Sequence, residues 1–185
     1  MKRNIFLAFS LFALFAVATT SCNKIKDAVK ANIELSYADI EFTIPQITAT
    51  GQATLASKDV YFNVDSIIKA NNSQLNANYI RSVYVKSCTV TMIDGDAANN
   101  FSALESCKVD FSSNVNTNLY TLAEITGNPD VEAYTLDIPV NSSINLKDYF
   151  KATTFSYTLS GNARKTTSKD ILCKATIKYT LEAGL

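Results

Sequence analysis

Apolar and polar residues alternate through the last fifty residues of the chain. Phe155, Tyr157 and Leu159 occupy every second position, with Ser and Thr between them. A second run keeps the same spacing at Ile171, Cys173, Ala175, Ile177, Tyr179 and Leu181. A period of two residues is typical of a β-strand with one buried face. The pattern therefore predicts two amphipathic strands, and we expect the loop at 161–169 to join them as an antiparallel hairpin.

Earlier segments repeat this alternation, but the apolar phase slips twice. Ile33, Leu35 and Tyr37 give way to Ile40, Phe42 and Ile44, and Pro45 follows. One extra residue moves the apolar set to the opposite face, so we predict a bulge near Ala38 and a kink at Pro45. Further strands are predicted at 59–64, 81–93, 106–112, 118–125 and 133–140. Short helical turns are predicted at 65–70, 100–106 and 145–150, the first and last opening with N-cap residues.

These elements predict an all-β fold. The strands, seven to nine in number, suit a single antiparallel β-sandwich of immunoglobulin-like type, with a few short helical turns and a signal helix in front. A lipocalin-like barrel is the alternative, but the strands are unequal and interrupted. The signal helix takes up residues 1–21. The rest of the 185-residue chain is long enough for one domain, which we place at 33–185.

The N-terminus has the three-part layout of a secretory signal. Lys2 and Arg3 precede an apolar run at 5–18, and the small polar residues at 19–21 lead to Cys22. The run is shorter than the roughly 20 residues that a membrane-spanning helix needs. The stretch resembles the signal of bacterial lipoproteins, in the relaxed form of Bacteroidota-type Gram-negative bacteria. The alternative is an ordinary secretory signal.

The lipoprotein resemblance implies a lipid modification and a location in the cell envelope. It implies cleavage after residue 21, a diacylglyceryl group on the sulfur of Cys22 and an acyl chain on its new amine, so that 22–32 form a lipidated tether. Asn23 stands where an Asp would resemble the inner-membrane retention signal, which favours the outer membrane. Lys24 and Lys26 precede Asp27 without an acidic cluster, which favours the periplasmic face over the cell surface.

Composition excludes several function classes. The chain contains no histidine, so Ser-His-Asp and Cys-His catalysis and histidine-ligated metals are excluded. Its 17 basic residues balance 17 acidic ones, which argues against nucleic-acid binding. We predict no cofactor.

Three cysteines remain if Cys22 is acylated. An oxidising periplasm permits a disulfide, and Cys88 with Cys107 is the better pair because the segment between them can fold back. The alternative is that Cys88, Cys107 and Cys173 are buried thiols that behave as small apolar residues.

The segment between Cys88 and Cys107 also carries a calcium-loop pattern. The oxygen-bearing residues that match positions 1, 3, 7 and 12 of such a loop are Asp94, Asp96, Asn100 and Glu105. Ala98 takes a ligand position, however, and Asn99 stands where the loop needs glycine. We interpret the segment as a connecting turn, with a calcium site as the alternative.

Three further patterns involve few residues. Ser66 and Lys69 match the S-x-x-K of penicillin-recognising enzymes, but the supporting motifs are missing. Asp65–Ile67 resembles the O-glycosylation acceptor motif of the same bacterial group, which makes Ser66 a candidate acceptor. Asp130 and Glu132 lie close in sequence, but a glycosidase needs two carboxylates across a cleft.

Three function classes compete. The first is a non-catalytic envelope lipoprotein, held to the membrane by its lipid, that binds an envelope protein or a glycan. The second is a glycan- or lipid-binding accessory module with a groove, for which an exposed set of Tyr and Phe beside Asn and Asp is the discriminating feature. The third is a carboxylate-dependent hydrolase, which needs two converging acids with shifted pKa values.

Overall fold

A computed structural model describes residues 29–185, together with their side chains except those of 36–39. These residues form eight strands, one α-helix and two 3₁₀ turns. The strands are β1 (Lys30–Ile44), β2 (Gly51–Tyr61), β3 (Ile80–Met92), β4 (Leu104–Ser113), β5 (Tyr120–Ile125), β6 (Thr135–Ile138), β7 (Thr154–Ala163) and β8 (Ile171–Gly184). The helix α1 spans Val64–Asn71, and the 3₁₀ turns span Ala77–Tyr79 and Phe101–Ala103. The predicted all-β sandwich is confirmed.

The strands form two four-stranded antiparallel sheets around one core. Sheet 1 has the order β1-β8-β3-β6, and sheet 2 has the order β2-β7-β4-β5. Strand β1 pairs with β8, β2 with β7, β3 with β6 and β4 with β5. This is one long antiparallel hairpin rolled into a sandwich, the arrangement of an eight-stranded jelly roll. It differs from the expected immunoglobulin-like order, because β1 and β2 lie in different sheets.

The predicted hairpin between the last two strands is wrong. Strand β7 lies in sheet 2 and β8 in sheet 1. Their apolar faces meet across the core, where the hydroxyl oxygens of Tyr157 and Tyr179 are 3.2 Å apart. Alternation specifies which face of a strand is buried, but it does not specify which strand lies beside it.

The predicted phase slip in the first strand is confirmed. The pairing of β1 with β8 shifts between Tyr37 and Ile40, and both Leu35 and Ile40 are buried despite their odd separation. The strand ends at Ile44, directly before Pro45, whose nitrogen has no hydrogen to donate to the sheet. The strand begins at Lys30, so residues 30–32 of the expected tether belong to it.

The short helical segments lie where the sequence predicts them, but their capping residues and helical type differ in part from the prediction. Helix α1 is capped by Asn63, whose side-chain oxygen accepts a hydrogen bond from the Ser66 amide at 3.0 Å, and not by Asp65 or Ser66. The segment at 145–150 is a turn, in which the Asn145 side chain accepts from the Lys147 amide. The segment at 100–106 contributes only the 3₁₀ turn and the start of β4.

Both described chain ends lie at one end of the sandwich, which we call the terminal end. The Leu185 amide donates to the Val29 carbonyl, and Lys30 pairs with Gly184 in the sheet. The antiparallel pairings place the connections 62–79, 114–119 and 139–153 at this end too. The connections 45–50, 93–103, 126–134 and 164–170 lie at the opposite end, which we call the distal end.

The centre of the core is a cluster of aromatic rings contributed by both sheets. Phe111 of β4 is fully buried and stacks on Phe155 of β7 with ring centroids 5.9 Å apart. Phe150, from the connection before β7, contacts Phe155 at 5.2 Å and Tyr179 of β8 at 4.9 Å. The cluster thus joins β4, β7 and β8 across the two sheets.

Truncation of the central ring tests the importance of this cluster. We expect Phe111→Ala to lower the free energy of unfolding by about 3–5 kcal/mol, because it removes a buried ring and leaves a cavity. The matched control, Leu119→Ala at an exposed position, changes it by less than about 0.5 kcal/mol. Urea unfolding followed by circular dichroism measures both. Equal effects of the two variants would contradict the prediction.

Candidate functional site

The outer face of sheet 1 carries a hollow of about 430 Å³ near the terminal end. Two rows of outward-facing side chains from three adjacent strands surround it. The first row is Asn32 of β1, Glu182 of β8 and Ser82 of β3, and the second is Glu34, Thr180 and Tyr84 of the same strands. We call these six residues the Tyr84 hollow.

The local backbone accounts for the shape of the Tyr84 hollow. Strand β3 shifts its pairing with β8 between Ile80 and Ser82 and again between Val85 and Ser87, on either side of Tyr84. Such irregularities bend a strand and increase its twist. On the central strand, Thr180 is shorter than the Glu34 and Tyr84 side chains on its two flanks, so the surface is depressed between them.

The polar groups of the Tyr84 hollow are mostly unpaired. Glu34 forms an ion pair with Lys86, and this hydrogen bond and charge lower the pKa of the Glu34 carboxyl, with a smaller contribution from Lys178. The other five side chains make no hydrogen bond or ion pair with any residue among 29–185. These unpaired groups are an amide, two aliphatic hydroxyls, a phenol and a carboxylate, and all are available to a ligand.

Several side chains on the outer face of sheet 2 bond to one another. Asp59 accepts from the Ser156 hydroxyl at 2.6 Å, and Asp110 accepts from the Thr121 hydroxyl at 2.7 Å. Lys108 forms an ion pair with Asp110 at 2.9 Å. These side chains of sheet 2 satisfy one another, as Thr89 and Asp137 do elsewhere on sheet 1 at 2.6 Å, whereas five of the six side chains of the Tyr84 hollow have no such partner.

The chemistry of the Tyr84 hollow suits a hydroxylated ligand. The partly exposed ring of Tyr84 offers a flat apolar face with a polar tip. The surrounding amide, hydroxyl and carboxylate groups both donate and accept hydrogen bonds. Hydrogen bonds from lysines lower the pKa of the carboxyl groups of Glu34, Asp65, Asp96 and Asp130. A general acid of the glycosidase type needs an upward shift.

A second opening leads into the core between the edge strands β1 and β2. Apart from Lys58, it is lined by apolar and aromatic side chains, among them Phe42 of β1, Ala56 of β2 and Val90 of β3. Its volume of about 30 Å³ holds little more than a water-sized group. It is therefore too small for the kind of ligand that occupies pockets of several hundred cubic ångströms.

The structure places the calcium-loop residues in a hydrogen-bonded turn. The Asp96 carboxylate accepts from the Ala98 and Asn99 amides and forms an ion pair with Lys169 at 3.1 Å. These contacts lower the pKa of Asp96, the hydrogen bond from Lys169 most of all. A lysine ammonium thus already neutralises the carboxylate that a cation would need.

The remaining calcium-loop residues point to separate partners. The Asp94 carboxylate accepts from the Leu172 amide at 2.7 Å. The Asn100 side chain caps the 3₁₀ turn, and the Glu105 carboxylate accepts from the side-chain amide of Asn162 at 2.7 Å. Among the side chains that the structure describes, no group of three or more acidic or cysteine residues is placed to hold a metal ion.

Ser66 and Lys69 do not form a catalytic pair. The Lys69 ammonium lies 2.6 Å from the Asp65 carboxylate and forms an ion pair with it. Ser66 is exposed in the first turn of α1. Its glycosylation stays a prediction.

The other acidic pair is also divided between two partners. Asp130 forms an ion pair with Lys165, and Glu132 accepts a hydrogen bond from the Tyr134 hydroxyl at 2.5 Å. Both carboxylates lie in an exposed distal connection. The structure does not place them on opposite sides of a cleft.

The three described cysteines are buried free thiols. Cys88, Cys107 and Cys173 form no disulfide, so the Cys88–Cys107 bridge weighed from the sequence is not formed. Cys88 and Cys107 belong to strands of different sheets, which alternation along the chain does not reveal. Burial raises the pKa of each thiol to about 12. Cys22 lies outside the described residues.

Sequence reasoning did not find the Tyr84 hollow. One signal was present, because Tyr84 stands at a polar position between the inward-facing Val83 and Val85. An aromatic residue on the solvent face of a strand is a candidate binding group. The neighbours of Tyr84, however, come from strands about 50 and 100 positions away, and only the sheet order brings them together.

Comparisons with known proteins give no family. No family model matches the chain, and no curated protein matches it. A structure of infectious bursal disease virus, Gx strain, matches with a TM-score of 0.39 and 12% identity over 84% of this chain and 32% of its own. A protein of Eubacterium rectale described as secreted matches with a TM-score of 0.43 and 12% identity over 84% and 40%. This chain thus spans well under half of either protein. Likenesses this distant carry no inference about function.

In the described part of the chain, no helix has the length and apolar character to cross a membrane.

Burial of the thiols has a measurable consequence. We expect the mature chain with Cys22→Ser to show no rapid thiol reaction with Ellman's reagent at pH 8, because the reactive thiolate is suppressed when the pKa is raised to about 12 from an ordinary value near 8.5. In urea all three thiols should react. Rapid reaction of the folded protein, or fewer than three reactive thiols in urea without reductant, would contradict this assignment.

Proposed function

We propose that this chain is an outer-membrane lipoprotein on the periplasmic face, anchored through Cys22, whose β-sandwich is a non-catalytic module that binds a glycan in the Tyr84 hollow. The observation that carries the glycan proposal is the set of five unpaired polar groups around an exposed tyrosine ring. A sugar ring presents hydroxyl groups at its edge and a patch of C–H bonds on its face. The Tyr84 hollow offers complementary groups for both.

The charge of the Tyr84 hollow favours a neutral glycan. Its two carboxylates, Glu34 and Glu182, would repel an acidic polymer. Lys86 neutralises the first of them, and Lys178 lies close enough to lower its pKa. A neutral sugar makes hydrogen bonds to these groups without the cost of desolvating a further charge.

The anchor proposal rests on the sequence of the first 22 residues. The basic start, the short apolar run and the small residues before Cys22 are followed after six residues by Val29, where the described domain begins. Two or more acyl chains give stable attachment, since each buried methylene contributes about 0.8 kcal/mol. A module so close to its anchor acts at the membrane surface.

Mass spectrometry of the membrane fraction of the native host tests the anchor. We expect the N-terminal peptide of the mature chain to begin at Cys22 and to carry a diacylglyceryl thioether and an amide-linked acyl chain. The variant Cys22→Ser should lack both modifications and leave the membrane fraction. Recovery of an unacylated, soluble mature chain from the unaltered gene would defeat the anchor proposal.

Affinity electrophoresis tests the binding site. The mature chain with Cys22→Ser would be run through gels that contain soluble β-glucan, xylan or galactomannan. We expect at least one polymer to retard it, and we expect Tyr84→Ala to weaken the retardation by about tenfold, the equivalent of roughly 1.4 kcal/mol of ring contact. Tyr61→Ala is the matched control, because Tyr61 is an exposed tyrosine on sheet 2.

Two results would oppose the glycan proposal. One is the absence of retardation in every gel, which would favour an envelope protein as the partner. The other is retardation that Tyr84→Ala and Tyr61→Ala reduce equally, because the ring of the Tyr84 hollow would then have no special part in binding.

A further inference from the structure

The terminal end carries a rim of exposed apolar side chains. Tyr61 ends β2, Val115 and Leu119 lie in the 114–119 loop, and Ile144 lies in the 139–153 connection. Tyr61 is 73% exposed and Leu119 is 70% exposed, the two highest values among the large apolar residues of the described chain. We call these four residues the apolar rim.

Hydrogen bonds between the connections hold the apolar rim together. The Asn114 amide donates to the Thr154 carbonyl, and Thr154 is the sheet partner of Tyr61. The Tyr120 hydroxyl, next to Leu119, donates to the Asn141 carbonyl at 3.0 Å in the connection that carries Ile144. The 114–119 loop is itself braced, since the Ser113 amide donates to the Asn116 carbonyl. The apolar rim is therefore a fixed surface of this end.

The two ends of the sandwich differ in charge. The three terminal connections contain three lysines and two aspartates, and the 114–119 loop contains no charged residue. The four distal connections contain five carboxylates and three basic residues. The most exposed apolar side chain of the distal end, Val131, stands between Asp130 and Glu132. The terminal end combines the uncharged 114–119 loop with one more basic than acidic residue, since two of its three lysines pair with its two aspartates.

The covalent chain restricts where the terminal end can go. Six residues separate Cys22 from Val29. At about 3.3–3.6 Å per residue, even a fully extended segment keeps Val29 within roughly 25 Å of the acylated residue. This segment adds Lys24 and Lys26 against one Asp27, which favours attraction to anionic lipids.

We infer that the apolar rim is a membrane-docking surface, which lies in the interface of the bilayer that holds the acyl chains of Cys22. This inference rests on the anchor proposed above. The lipid tether holds the apolar rim close to the bilayer, which raises their effective concentration relative to each other. Four side chains that partition only weakly into a membrane on their own can then stay bound to it. The lysines of the same end lie at the level of the lipid headgroups. The sandwich then stands with its distal carboxylates directed away from the bilayer.

Hydrogen exchange on an artificially anchored protein tests this inference separately from natural acylation. The mature chain from Cys22 to Leu185 would be coupled through Cys22 to a maleimide phospholipid in phosphatidylethanolamine–phosphatidylglycerol vesicles. The coupling is selective because Cys88, Cys107 and Cys173 are buried. The reference is the same chain blocked at Cys22 with N-ethylmaleimide and mixed with equal vesicles.

We expect the amides of the 114–119 loop to exchange at least roughly threefold more slowly in the coupled protein than in the reference. Exchange in the distal connections 93–103 and 126–134 should not change. The double substitution Val115→Asp with Leu119→Asp should abolish the slowing, whereas the control Val131→Asp at the distal end should preserve it. All three positions are exposed, so the variants should keep the urea midpoint of the unaltered protein.

Three results would overturn the inference. These are unchanged exchange at 114–119, slowing at the distal connections instead, and slowing that survives the double substitution. If the blocked protein without vesicles exchanges at 114–119 as slowly as the coupled protein does, the apolar rim mediates self-association. That result would also overturn the inference. Failure of natural acylation in the host would defeat the anchor proposal alone, because the artificial anchor does not depend on it.

Discussion

The contact between the two sheets through the Phe111 cluster is the interaction on which the rest of this structure depends. Phe111, Phe155 and Tyr179 are each buried to within a few per cent of completely, and each buried ring of this kind contributes about 1.5–3 kcal/mol. The ion pairs on the surface are exposed, so water and salt screen them and they contribute little. Burial of one face of each sheet against the other therefore determines the architecture, and the outer faces are free to take other roles.

The outward-facing polar side chains differ in how far they bond to one another. On sheet 2 several hydroxyl and carboxylate side chains bond to one another, as Ser156 does with Asp59. On sheet 1 the residues around Tyr84 are directed outward and lack such partners. A surface whose polar groups are already satisfied gains little from a ligand, whereas an unsatisfied one exchanges only water for ligand. The candidate site is thus distinguished by unpaired polar groups that surround a hollow beside an exposed aromatic ring.

The position of the Tyr84 hollow is compatible with the proposed docking of the terminal end. Asn32 is the third residue of β1, and Glu182 lies two residues before the end of β8. At about 3.3 Å per residue, this part of sheet 1 lies within roughly 15 Å of the terminal end. The Tyr84 hollow faces sideways from that end, so docking of the apolar rim leaves it open. The distal connections, which are braced by the buried Asn99, Asn100 and Asn128 side chains, are then the parts furthest from the bilayer.

By itself the sequence determined the class of the fold, the approximate places of the strands and the slip in β1, because alternation such as Phe155-Tyr157-Leu159 reports directly which face of a strand is buried. The N-terminal pattern around Cys22 likewise led to the anchor prediction, since it is a short local signal. Only the tertiary structure decided that β7 and β8 lie in different sheets, that Cys88 and Cys107 stay unbridged and that Glu34, Thr180 and Tyr84 share one row. Each of these depends on which distant segments pair. The free energy that selects the pairing comes from burial across the whole core, so no single stretch of the chain contains enough information to predict it.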